Sequence, residues 1–379
     1  MDILITGANG FLGSHLLVYL LKERSDIRAA CLVRAADSSM AEQRLAEALT
    51  VAIHDAGVSV ELRRLMSHIA AIPGDLNDPG WPETRDFRAW LDGSRPVHVF
   101  HCAANISFSR DDHTSVWKSN VEGTRSLLAA CSGFPNVACF NQVSTAYVAG
   151  NRNGLIAEDD RTRPPAFHNT YEESKWTAEQ DVWRFHDEHG VPIRIFRPSI
   201  IVGDSTTHLV SSYTGFYSVL EKMWHITRFA KSEDFPIRLP FDVAATLDLM
   251  PIDIVVKEIS FLMDLGVATT SGTYHITNEA PLGLPDIIRA LSMLTGVPAS
   301  STQPAQKKAS GIGSLIARAL RHYAPYLTQV RKFDRANVHR FGAGRFQAEY
   351  CLDTAELQAF AAAFLKRKHG FNEASGTTV

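Results

Sequence analysis

The sequence predicts an α/β fold, a doubly wound parallel sheet followed by a smaller, mostly helical C-terminal region. Three observations carry that prediction. Short apolar runs alternate with amphipathic stretches from Asp2 to Ile201. The first run passes directly into a glycine-spaced turn and then a helical pattern. After residue 203 the alternation breaks, and the chain becomes loop-rich and later helical.

The strands are expected at DILIT (2–6), IRAACLV (27–33), HIAAIPG (68–74), VHVFHCAA (97–104), VACFNQVS (137–144) and IRIFRPSII (193–201). Amphipathic helices are expected between them, near 11–24, 39–66, 83–92, 116–131 and 171–189. Apolar strands that alternate with helices form a parallel sheet covered on both faces. Ligands of such sheets bind outside the carboxyl ends of the strands. Further on, GFYSVLEKMWHITRF reads as a helix, LMPIDIVVKEISFL (249–262) as a strand-to-helix unit, and TYHIT (273–277) as a strand. The tail from about 283 reads as mostly helical, interrupted by a polar linker at 299–311.

Composition narrows the class. The 379 residues suffice for one large domain or a core with an elaborated cap. With 45% hydrophobic and 21% charged residues, the chain packs rather than remaining disordered. A net charge of -3 with mixed signs carries no nucleic-acid signature. The five cysteines, Cys31, Cys102, Cys131, Cys139 and Cys351, form no C-x-x-C pair and mostly sit in apolar runs. That pattern fits reduced thiols in a cytoplasmic protein. A strand beginning at residue 2 leaves no room for a signal peptide, and no apolar run reaches the length of a membrane span. The fifteen histidines show no metal-ligand spacing, and His98 and His101 face opposite sides of one strand, so no metal is expected.

The glycine turn carries the first chemistry. Gly7, Gly10 and Gly13 in TGANGFLG lie between a strand and a helix. The first two let the backbone turn tightly and approach a pyrophosphate; the third lets helix and sheet pack closely. The helix N-terminus then faces the phosphates. This is the dinucleotide-binding pattern of a Rossmann-type fold. An acidic residue at the end of strand two would hold the ribose of NAD. Here Arg34 stands at that place, with Asp37 too far along. Guanidinium forks match phosphate oxygens, which favours the 2′-phosphate of NADP. Arg44, in the next helical segment, either adds to that site or belongs to a solvated helix face. Asp75 in PGDL is placed to accept from the adenine amino group.

Three features converge on the later strand ends. HCAANISF supplies the small Ala103 and Ala104 beside a nicotinamide ribose, with Cys102 next to them. Buried cysteine usually just packs, so thiol chemistry is not expected of it. Asn120 opens a long helix in NVEGT, and QVSTAYV leaves Ser144 and Thr145 at the sheet edge. Tyr171 and Lys175, in NTYEESKW, share one helix face. By spacing alone that pair is either helix surface or a proton donor with its cation.

The motifs TGANGFLG, LVRA, PGDL, FHCAANISF, SNVEGT, VSTAYV, YEESKWTAE and RPSIIVGDS together resemble the extended short-chain dehydrogenase/reductases. Within them the chain is most similar to the thioester-reductase and fatty acyl-CoA reductase branch. The likeness covers residues 1 to about 205 and extends through LMPIDIVV to about 260. It implies Thr145, Tyr171 and Lys175 as the catalytic trio, with Asn120 supporting a relay behind the lysine. It implies NADPH held by Gly7, Asn9, Gly10, Phe11, Leu12 and Gly13. Arg34, Arg44, Asp75 and Leu76 would hold the adenosine end. Cys102, Ala103, Ala104, Tyr171, Lys175, Pro198, Ser199 and Ile200 would surround the nicotinamide end. Lys175 is expected to lower the tyrosine pKa from its ordinary value near 10, and Thr145 to donate to the substrate oxygen.

The expected organisation is an NADP-binding core at 1–203, with 249–277 returning to it. Residues 204–248 and 278–379 form a substrate-binding cap. The basic segment SLIARALRHYAPYLTQVRK reads as a cap helix over a substrate channel in preference to a membrane-surface helix. Its Arg318, Arg321, Arg331 and Lys332 also suit docking of an acidic carrier protein. The expected substrate is an acyl thioester on CoA or on a carrier acting in trans. A ketone or hydroxyl of a small metabolite is the alternative, and a catalytically silent NADP sensor has no use for the trio.

Overall fold

The apolar runs pair side by side. β1 (Asp2–Thr6), β2 (Arg28–Val33), β3 (Ile69–Pro73), β4 (Val97–His101), β5 (Val137–Val143), β6 (Ile193–Pro198) and β7 (Gly272–Ile276) form one sheet. The order is β7-β6-β5-β4-β1-β2-β3, and every neighbouring pair is parallel. The chain reverses its winding direction between β1 and β4, where Thr6 lies opposite His101. A crevice outside the carboxyl ends of these two strands follows from that reversal. These features come from a computed structural model. It describes residues 1–379 except 92–94, 135, 228–236, 267–270, 296–298, 303–317, 319–320, 343–349, 351, 373–376 and 379.

Side-chain alternation along β1 shows why both faces are covered. Ile3 and Ile5 enter one apolar cluster with α1 (Phe11–Glu23), α2 (Ser38–Asp55) and α6 (Ile252–Asp264), whereas Leu4 enters another. The second cluster holds Val99 and Phe140 against Leu127 of α3 (Gly123–Ser132) and Val182 of α4 (Thr170–His189). A third cluster gathers α5 (Phe216–Thr227), α7 (Leu284–Thr295) and α8 (Thr354–His369) around Leu220, Ile287 and Phe360.

The doubly wound sheet matches expectation, and the departures have local causes. The helix expected over 39–66 is two helices, because Gly57 at φ +60° leaves the helical path after α2 and Leu62–Met66 restarts it. The run 193–201 splits at Ser199: Ile200–Val202 leaves the main sheet and pairs in parallel with Leu249–Pro251. The linker expected at 299–311 starts with a strand, Ala299–Thr302, paired with Ile237–Pro240; residues 303–311 lie outside the described residues. The expected helix over 314–332 is corrected for its described second half. Residues 321–323 turn, Ala324–Leu327 form a 3-10 helix, and Arg331–Phe333 pair in parallel with Gly154–Ile156. Pro325 has no N–H and restricts the residue before it, so a continuing helix is interrupted there.

Candidate active site

The glycine turn is built as its spacing requires. Gly7 takes φ +70°, and a Cβ there would lie 2.6 Å from the Ala103 amide nitrogen. A Cβ on Gly13 would lie 2.2 Å from the Gly7 carbonyl oxygen, so neither position accepts a side chain without moving backbone. No side chain caps the N-terminus of α1, which leaves its first amides available to an anion.

A pocket of about 1210 Å³ opens beside this turn. Gly7, Asn9, Gly10, Arg34, Asp75 and Leu76 wall one part, and Cys102, Ala103 and Ala104 another. Asn77, Asn105 and Ser119 also line it; Asn105 and Ser119 lie within FHCAANISF and SNVEGT, and the sequence assigns none of the three a role. Phe11 and Leu12 pack on the first core cluster beneath it. Arg34 is exposed, and Arg44 donates to the Arg34 carbonyl, so the two guanidinium-bearing segments are joined. Asp37 is occupied elsewhere: its Oδ1 accepts from the Met40 amide at 2.8 Å and caps α2. Asp75 Oδ1 accepts from the Asn77 amide at 2.9 Å, which shapes the loop after β3. The glycine cradle and the small residues facing it fit a dinucleotide.

Below the pocket, His101 is fully buried and bridges Thr6 Oγ1 at 2.7 Å and Thr124 Oγ1 at 2.9 Å. Burial, then Lys175, push its pKa down to about 3, so the ring is a neutral brace between β1, β4 and α3. Burial likewise pushes the Cys102 thiol up to about 12. A thiol held in that state is a poor nucleophile.

The helix α4 carries Tyr171 and Lys175, and Thr145 follows the end of β5. Asn169 caps it, its Oδ1 accepting from the Glu172 amide at 3.0 Å, so Tyr171 sits in the first turn. The Thr145 side chain acts on Tyr171, favouring its charged form. Thr145 is 5% exposed and donates to the Pro198 carbonyl at 3.4 Å. Lys175 is buried and donates to the Val143 carbonyl at 2.5 Å. The electrostatics differ from expectation. Burial raises Tyr171 to about 12, opposed by the Thr145 side chain and assisted by Glu172. Lys175 is not among the groups that shift it, because its own burial pushes it down to about 8, against Glu179 and Cys102. Desolvation outweighs the cation here.

Asn120 is 1% exposed and lies in a π-helical turn, Lys118–Glu122. Its Nδ2 donates to the Asn105 carbonyl and to Ser174 Oγ, each at 2.9 Å, and its Oδ1 accepts from the Asn105 amide at 2.7 Å. These bonds tie the loop after β4 to α4.

A second chamber lies against Tyr171, which lines it and does not line the nucleotide pocket. Phe108, Tyr147, Tyr323 and Tyr326 wall it near the tyrosine, and Ile200 faces it in place of the nucleotide pocket. Aliphatic side chains of α5 and α7 supply much of the remainder. Phe108 joins the parts, with ring centroids 5.8 Å from both Tyr171 and Tyr323. The residues from 321 on therefore cover this chamber without forming the expected helix. Arg331 turns inward, donating to the Gly150 carbonyl at 3.0 Å with its guanidinium 4.7 Å from the Tyr147 ring centre. Arg318, Arg321 and Lys332 remain exposed.

Away from this site, folding brings Glu221 and His225 of α5 together with His369 of α8, their ligand atoms within 4.8 Å of one another. Lys368 Nζ occupies the carboxylate at 2.7 Å from Glu221 Oε1. Among the described residues no helix is long and apolar enough to cross a membrane. Cys31, Cys102, Cys131 and Cys139 are free, and Cys351 lies outside the described residues.

Comparisons with known proteins agree with this geometry. An NAD-binding family model described as male sterility protein matches residues 5–259. Isonitrile lipopeptide synthase of Streptomyces coeruleorubidus is 33% identical over 223 residues, covering 58% of this chain and 14% of that protein. Fatty acyl-CoA reductase 1 of Rattus norvegicus is 32% identical over 165 residues, covering 43% of this chain and 31% of that one. The chain thus spans less than a third of either relative. The terminal R domain from the myxalamid PKS-NRPS biosynthetic pathway superposes with a TM-score of 0.78 at 23% identity, over 98% of this chain and 92% of that one. At that identity the likeness is one of fold.

Proposed function

The chain belongs to the male sterility protein family, with the fold of the extended short-chain dehydrogenase/reductases, and from that premise we propose that it reduces an acyl thioester with NADPH. The observation that carries this reading is Tyr171 walling an apolar chamber, on the helix that also carries buried Lys175, with the Thr145 side chain acting on the tyrosine's pKa. The names of two relatives, a lipopeptide synthase and a fatty acyl-CoA reductase, support a thioester as substrate.

Bound NADPH supplies the hydride equivalent that the acyl carbon receives. Arg34, with Arg44 steadying its backbone, would hold the 2′-phosphate. The glycine turn and the uncapped end of α1 would hold the pyrophosphate. Lys175 would hold the ribose hydroxyls of the nicotinamide half. Thr145 and Tyr171 receive the carbonyl oxygen, stabilising negative charge as it develops there. Tyr171, whose pKa burial pushes up to about 12, gives its proton to that oxygen. The resulting hemithioacetal collapses, breaking carbon–sulfur and releasing a thiol and an aldehyde. With hydride from a second NADPH, Tyr171, reprotonated from solvent, would give a second proton to the oxygen and the aldehyde would become the alcohol.

The thioester is carried by CoA or by a carrier protein. The test supplies NADPH with acyl-CoAs and carrier-bound acyl groups and follows free thiol. Thiol release coupled to NADPH loss is expected, with one NADPH per thiol marking aldehyde and two marking alcohol. Reduction of ketones with no thiol released from any thioester would overturn the reading.

A further inference from the structure

Glu221, His225 and His369 form a cluster that the proposed reaction does not use. Glu221 and His225 lie one turn apart on α5 and share a face. His369 is the last residue of α8, and Gly370 at φ +62° ends that helix directly after it. His225 Nε2 lies 3.8 Å from Glu221 Oε1, and His369 Nε2 lies 4.0 Å from the same oxygen. The two imidazole rings meet edge to face, with centroids 5.1 Å apart. Among the described residues, no other group of three or more His, Cys, Asp or Glu side chains brings its ligand atoms together in this way.

Two imidazoles and one carboxylate are a donor set for zinc. The ligand atoms of a tetrahedral zinc, each about 2.1 Å from the metal, stand about 3.4 Å apart. The distances to Glu221 Oε1 exceed that spacing by about half an ångström, a gap that side-chain torsions close. His369 packs edge-on to Phe364, with ring centroids 6.4 Å apart, which holds one donor in place. The exposed His225 leaves an open side, giving the ion an entry path and room for a water as fourth ligand. Lys368 Nζ, 2.7 Å from Glu221 Oε1, competes for the same oxygen. Its ammonium is partly exposed on a flexible stem, and such an ion pair contributes little, so a divalent cation displaces it.

We propose that Glu221, His225 and His369 form a zinc site that staples α5 to α8. α5 also presents Leu220 and Met223 to the chamber against Tyr171, so the ion fastens a wall of that chamber to a helix far along the chain. The inference is independent of the reaction read at Tyr171, and its test needs no turnover.

The experiment titrates the untagged, chelator-stripped protein with zinc sulfate, in competition with a chromophoric chelator. Thermal melting is followed alongside, and cobalt(II) serves as the spectroscopic probe of the same site. One zinc per chain is expected, with a rise in melting temperature that saturates at that ratio. Cobalt should give the visible absorption of four-coordinate geometry. His225→Ala and His369→Ala should each weaken zinc about tenfold or more, with NADPH binding unchanged as the check on folding. Glu221→Gln, which keeps the side-chain volume, repeats the test if an alanine variant does not fold. Lys368→Met should tighten zinc, because the competing ammonium is gone. No zinc retained against the chelator would overturn the proposal. So would zinc affinity, or a cobalt spectrum, left unchanged in a His225→Ala/His369→Ala double variant that still binds NADPH.

Discussion

Tyr326 Oη donates to Glu172 Oε1 at 2.5 Å, joining two residues 154 positions apart in the sequence. Glu172 is the neighbour of Tyr171, so this bond fastens the chamber's covering segment to the first turn of α4. The Glu172 carboxylate also accepts from the His168 amide at 2.8 Å. Burial raises its pKa, against the hydrogen bonds from Tyr326 and His168. Tyr326→Phe keeps the ring contacts and removes one donor. It should cost about 1–3 kcal/mol in urea unfolding and weaken acyl substrates while leaving NADPH affinity near normal. Unchanged unfolding would show that the bond contributes nothing.

Tyr171→Phe removes the proton donor without removing the ring that packs on Phe108. Turnover should fall about 10²–10⁴-fold, the range for a positioned acid, with NADPH affinity preserved in a fluorescence titration. A variant that turns over at the parental rate would take the tyrosine out of the mechanism.

Arg34→Ala should weaken NADPH by about tenfold or more, ~1.4 kcal/mol, and NADH much less. Arg44→Ala should have a smaller effect in the same direction, because Arg44 reaches the Arg34 carbonyl. Equal losses for NADPH and NADH would refute the 2′-phosphate assignment.

Lys175 sets a pH limit. Burial lowers its pKa to about 8, so the ammonium is present below that pH and lost above it. kcat/KM for NADPH, which reports the free protein, should therefore decline as pH rises through about 8. Lys175→Arg should remove that decline even if its activity is lower, since a guanidinium stays charged. A flat profile in the parental protein to well above pH 8 would contradict a binding role for the ammonium.

Gly13→Ala places a methyl 2.2 Å from the Gly7 carbonyl oxygen. The helix must shift from the sheet, so both thermal stability and NADPH affinity should fall, the second measured by titration of the folded fraction. Parental affinity would mean that the turn accommodates the methyl.

Much of the sheet was legible because strand and helix periods are local. DILIT, VHVFHC and VACFNQV are apolar enough to be buried on both faces, and the glycine turn announces its own geometry. The family resemblance drawn from residues 1 to about 260 is borne out by a match over residues 5–259. Elements failed where a single residue redirected the chain. Gly57 ended a helix, and the segment containing Pro325 packed its tyrosines instead of continuing one. Tyr147, Phe108 and Tyr326 went unassigned because an aromatic residue in a loop gives no sign of what it will face.

The sequence by itself determined the winding of the sheet, the glycine cradle and the spacing that sets Tyr171 and Lys175 on one helix. Those follow from backbone periodicity and from the steric freedom of glycine, which need no distant partner. Only the tertiary structure decided how those residues are tuned. Burial raises Tyr171 and lowers Lys175, where the family resemblance leads to the expectation that the lysine would lower the tyrosine. Only folding gathered residues of α5 and α7 into one apolar cluster and brought Tyr326 to Glu172. Desolvation and long-range contact depend on which segments cover a side chain, and local spacing does not encode that cover.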